Sequence, residues 1–86
     1  MRIKEGFVLR QVADSYVVMN LGSEISFNGM LTLNESGALL WNAISEGADA
    51  DGLVTALLNE YDVSDEIAKK DVAAFIEKIK GAGILE

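Results

Sequence analysis

The chain has 86 residues, half of them hydrophobic, with fourteen acidic against seven basic residues and a net charge of -7. A chain of this size buries only about 60–65% of the surface it exposes when unfolded, enough for one thin two-layer core. The charge argues against a protein that clings to phosphates. Because Cys, His and Pro are all absent, disulfide frameworks, zinc and haem sites, thiol nucleophiles, His acid–base schemes and proline-rich ligands drop out.

The opening Met1-Arg2-Ile3-Lys4-Glu5-Gly6 is interrupted by charge at once, unlike the apolar run of a signal peptide. No stretch approaches the ~20 apolar residues of a membrane span. The expectation is one cytoplasmic domain over residues 1–86. Phe7, Val8, Leu9 and Val12 around Arg10 and Gln11 predict a first strand. Ala13-Asp14-Ser15 forms a turn, and the β-branched and aromatic run at residues 16–21 completes a hairpin. Gly22 and Asn28-Gly29 frame Ile25-Ser26-Phe27, a loop or a short extra strand. Met30, Leu31, Thr32 and Leu33 form a third strand, stopped by Asn34.

From Asn34 the period becomes helical. Asn34 suits an N-cap with Glu35 in the first turn; Leu40, Trp41 and Ile44 recur at helical spacing, and Gly47 fits C′. Asp49 caps a second helix whose apolar stripe is Leu53, Leu57, Leu58 and Tyr61. Ser64 caps a third, with Asp65 and Glu66 in its first turn and Lys78 and Lys80 in its last. Its stripe is Ala68, Val72, Phe75 and Ile79, and Gly83 ends it, leaving Ile84-Leu85 to fold back on the core. The order βββααα predicts an α+β fold of winged helix-turn-helix type: a three-stranded antiparallel sheet followed by a three-helix bundle. One sheet face must lie on the helices and at least one edge must stay open.

Asp14-Ser15 matches the pair around an acyl carrier's prosthetic-group serine, but it sits in a hairpin turn, and turn chemistry accounts for it. Lys69, Lys70, Lys78 and Lys80 on the third helix are balanced by Asp65, Glu66, Asp71 and Glu77, and no Arg is available there for guanine. A solvated face explains them better than a DNA-reading helix. Glu46, Asp49 and Asp51 lack the spacing of an EF-hand loop. The chain also leaves little room for a water-excluding cleft, so no catalytic residues, cofactor or metal are expected. Trp41 and Phe75 fit core positions. The informative element is the third strand, which contains no Lys or Pro to protect its edge. Either another strand of the sheet covers it, or a peptide adds to it as a strand.

Leu31-Thr32-Leu33-Asn34-Glu35-Ser36-Gly37 with Leu40-Trp41, then Glu60-Tyr61-Asp62-Val63, Asp71-Val72-Ala73-Ala74-Phe75-Ile76 and Ala82-Gly83-Ile84-Leu85, together resemble PqqD-like proteins. These are the RiPP recognition elements of ribosomal peptide natural-product pathways. The likeness runs from about residue 7 to residue 85. It implies a non-catalytic chaperone that binds the leader segment of a precursor peptide along the third strand and in the groove beside the third helix. The leader is then presented to a modifying enzyme, often a radical SAM protein. Carried onto this chain, the strand is Gly29, Met30, Leu31, Thr32 and Leu33. At ~100° per residue, the third helix contributes one of two flanks: Ile67, Asp71, Ala74 and Lys78, or Lys69, Ala73, Ile76 and Lys80. The first is chosen for its apolar contact, its small residue and its opposite charges. Residues 22–28 are longer than a tight hairpin needs and bear on which edge is free. The alternative is a winged-helix adaptor or transcription-regulator-like domain, and an open edge also admits a homodimer.

Overall fold

The computed structural model describes residues 1–21 and 31–86. Strands β1 (Phe7–Val12) and β2 (Ser15–Asn20) form the expected antiparallel hairpin. β3 (Leu31–Leu33) pairs antiparallel with the other side of β2, in the register Tyr16↔Leu33, Val17↔Thr32 and Val18↔Leu31. The sheet order is β1-β2-β3. Helices α1 (Glu35–Ser45), α2 (Ala50–Glu60) and α3 (Asp65–Gly81) follow, which is the βββααα winged-helix order the sequence predicts. The candidate extra strand at Ile25-Ser26-Phe27, and Gly29 and Met30 at the start of the third strand, lie outside the described residues. Among the described residues, no helix is long and apolar enough to cross a membrane.

Alternation along the strands decides the inner face. Val18 and Leu33 point inward and are buried, meeting Leu40, Trp41 and Ile44 of α1 in one apolar cluster. α3 contributes the whole expected stripe of Ala68, Val72, Phe75 and Ile79. The β1–β2 turn is tighter than expected: Ser15 already pairs with Val12, leaving only Ala13 and Asp14 in the loop. Ala13 therefore takes φ 55, the positive angle that two-residue hairpin turns demand.

The helix ends follow the sequence signals closely. Asn34, Asp49 and Ser64 accept the backbone N–H groups of Gly37, Gly52 and Ile67 at 2.8, 2.9 and 3.2 Å. Gly47 and Gly83 take positive φ after α1 and α3, of 103° and 78°. The N–H of Ala48 then returns to Ala43 O, and that of Ile84 to Ile79 O, each at 3.0 Å. Tyr61 departs from expectation. α2 ends at Glu60, and Tyr61 is its extended C-cap, 37% exposed. A stripe position is buried only while the helix continues, so α2 buries Leu53 and Leu57, with Leu58 half-buried.

Beyond Gly83 the tail folds back as expected. Ile84 is fully buried, Lys4 N–H donates to Ile84 O at 2.8 Å, and Glu86 N–H to Arg2 O at 2.9 Å. Among the described residues, no atom beyond Gly83's own chain neighbours lies within 4 Å of where a Cβ would stand on it, so Gly83→Ala strains the backbone rather than the packing. It is expected to cost about 1–2 kcal/mol, read as a lower urea midpoint at unchanged m-value.

Candidate functional site: the outer edge of β3

Among the described residues, β3 is the outer strand on its side of the sheet. Leu33 is buried and Leu31 half-buried against the core, so Thr32 faces the opposite way and is exposed. From the second half of α3, Lys78 Nζ donates to Thr32 O at 3.2 Å, across 46 residues of sequence. The Thr32 carbonyl therefore points away from β2. In an antiparallel strand the N–H and C=O of one residue point to the same side, so Thr32 turns both groups to the open edge.

Two adjoining hollows share Asn34, Phe75 and Lys78 and form one trough, which starts at the β3 edge and continues between α3 and helices α1 and α2. The first, of about 430 Å³, is completed by Asp14, Ser15, Thr32 and Leu33. The second, of about 260 Å³, is completed by Ser36, Leu40, Leu57, Asp71 and Ala74. Leu33, Leu40, Leu57 and Phe75 give the trough an apolar floor. Asp14 and Asp71 put negative charge toward its two ends, with the Lys78 ammonium between them.

Of the residues the sequence proposed, Thr32, Leu33, Asp71, Ala74 and Lys78 come together here. Leu31 lies one position back along β3 and packs inward. Ile67 is 50% exposed in the first turn of α3 and lines neither hollow. Of the other flank, Lys69, Ala73, Ile76 and Lys80 line neither hollow, and Ile76 packs against the core. Sequence reasoning missed Phe75, which it placed wholly in the core. It also missed Asn34, seen only as a cap, and the hairpin residues Asp14 and Ser15, read only as a turn.

Among the described residues there is no buried polar or charged side chain and no group of three or more potential metal ligands. Tyr61, whose hydroxyl is held above its ordinary pKa of 10.0 by desolvation and then by Glu35 and Glu60, lies in a separate hollow with Tyr16 and Glu35.

Fold and trough together define a small winged-helix module with an accessible sheet edge. The chain belongs to the PqqD family: the model for coenzyme PQQ synthesis protein D (PqqD) matches residues 15–85. Two solved structures share its fold. TbiB1 in complex with the TbiA(beta) leader peptide aligns with a TM-score of 0.83 at 23% identity, covering 100% of this chain and 95% of TbiB1. Lasso peptide synthetase B1 complexed with the leader peptide aligns with a TM-score of 0.80 at 22% identity, covering 99% of this chain and 95% of the synthetase chain. No curated protein matches the chain in sequence.

Proposed function

We propose that this protein is a non-catalytic peptide chaperone. It binds the leader segment of a ribosomally synthesised precursor as an added strand on β3 and presents it to a modifying enzyme, of the radical SAM class. The observation that carries the reading is the outward backbone pair of Thr32 above an apolar-floored trough. Strand addition draws affinity from such backbone groups and selectivity from neighbouring side-chain pockets. Membership of the PqqD family supports it, as do two proteins of the same fold solved with leader peptides. Leu31, Thr32 and Leu33 supply the receiving strand; the expected contributions of Gly29 and Met30 fall outside the described residues. Ala74 lets the peptide approach α3 closely, Asp71 supplies charge selectivity, and Ile67 extends the apolar contact at the far end. Calorimetric titration with the leader of the precursor encoded beside its gene tests the proposal.

Asp71→Lys reverses the charge at one end of the trough and is expected to weaken that leader by ~3–10-fold, with the melting temperature unchanged. The regulator reading predicts something else: micromolar binding to duplex DNA that falls steeply with salt. At a net charge of -7, no such association is expected at physiological ionic strength. A filter-binding or anisotropy titration at two salt concentrations decides between them.

A further inference from the structure

We infer that Lys78 is a latch on the β3 edge: its ammonium caps the outward Thr32 carbonyl in the free protein and keeps a second copy of the chain from pairing there. Open sheet edges invite pairing with other chains, and natural proteins blunt them with lysine among other devices. β3 itself, Leu31-Thr32-Leu33, contains no lysine. The protecting cation comes instead from α3, with Nζ 3.2 Å from Thr32 O. Lys80, one turn-half further along α3, lines neither hollow of the trough, so position rather than charge singles Lys78 out. The latch is reversible because the contact is exposed and a long, flexible stem carries the ammonium. An incoming strand displaces it and takes over the carbonyl. The edge is thus guarded against weak, unselective pairing yet open to a peptide that also fills the trough.

The test compares Lys78→Met and Lys78→Ala, which remove the donor, with Lys78→Arg, which keeps one, and Lys80→Met, which makes the same chemical change away from the edge. Removing a lysine adds one net negative charge, which by itself opposes self-association. In sedimentation velocity at sub-millimolar concentration, the parent, Lys78→Arg and Lys80→Met should run as monomers. Lys78→Met and Lys78→Ala should shift toward twice the monomer mass, and Thr32→Pro added to either should restore the monomer. Monomeric Lys78→Met and Lys78→Ala would overturn the latch. Dimers that persist with Thr32→Pro would overturn it too, because the contact would then lie off the β3 edge. A second arm rests on the proposed function. The genomic neighbour's leader should bind Lys78→Ala about 3–10-fold more tightly than the parent, since no cap has to be displaced. A weaker affinity in Lys78→Ala would overturn the latch by showing Lys78 to be a direct peptide contact. If the parent binds no leader at all, the proposed function fails while the sedimentation result still judges the latch.

Discussion

Thr32→Pro is expected to leave the protein folded while weakening leader binding by at least about 10-fold, the equivalent of ~1.4 kcal/mol. Proline deletes one N–H and fixes φ near the extended range, so it is tolerated on an outer strand where the N–H faces away from the sheet. The Lys78–Thr32 contact marks Thr32 as such a position. The flanking residues supply the control. Leu31 and Leu33 pack toward the core, and the alternation of an antiparallel ladder turns their N–H groups to β2 when that of Thr32 faces outward. Leu33→Pro should therefore break the ladder and lower stability itself. Circular dichroism melts of both variants, beside calorimetric titrations, separate the two effects. A Thr32→Pro protein that melts like the parent and binds the leader equally well would remove β3 as the receiving edge.

Trp41→Ala is expected to have the largest effect on folding, about 3–5 kcal/mol, from lost transfer energy and the cavity left behind. Trp41 is 3% exposed at the centre of α1, the helix that touches β2, β3, α2 and α3. Domains of this kind have only ~5–15 kcal/mol of total stability, so the variant should be largely unfolded or should melt far below the parent. Urea unfolding followed by far-ultraviolet dichroism measures it. Melting close to the parent would mean that α1 does not pack through this face.

What the sequence made legible was governed by local rules. Asn34, Asp49 and Ser64 cap because their side chains reach an N–H three residues on, and Gly47 and Gly83 take angles that glycine adopts freely. Both facts depend on neighbours within one helical turn. Tyr61 shows where periodicity stops helping: the spacing from Leu57 is right, but the helix ends before it, and an exposed cap replaces a buried stripe position. Phe75 shows a second limit. A ring of that size packs into the core and still floors a surface trough, and a helical angle alone assigns it only one of the two.

The candidate site was half legible. The resemblance to PqqD-like proteins placed it on β3 and α3, and the flank Asp71, Ala74 and Lys78 does reach the trough. Ile67 was included because it shares their angle. It lies in the first turn of α3, beyond both hollows, so any contact it makes falls at the far end of a bound peptide. The hydrogen bond from Lys78 to Thr32 could not be read from the chain, because it joins positions 46 residues apart and depends on how α3 docks beside the sheet. The strand looked unguarded because its own residues hold no lysine; the lysine arrives from another element.

The central claim, that a leader adds as a strand along β3, is tested most directly at the Thr32 amide. Hydrogen exchange on ¹⁵N-labelled protein, with and without the leader encoded beside the gene, reads that single N–H. Free, it faces the open edge and should exchange fast. Bound to a leader carbonyl, it should become protected, together with new shifts at Ala74 and Phe75. Saturating leader that leaves the Thr32 amide in fast exchange, while protecting β1 or the hollow between Tyr16 and Tyr61, would contradict strand addition at β3.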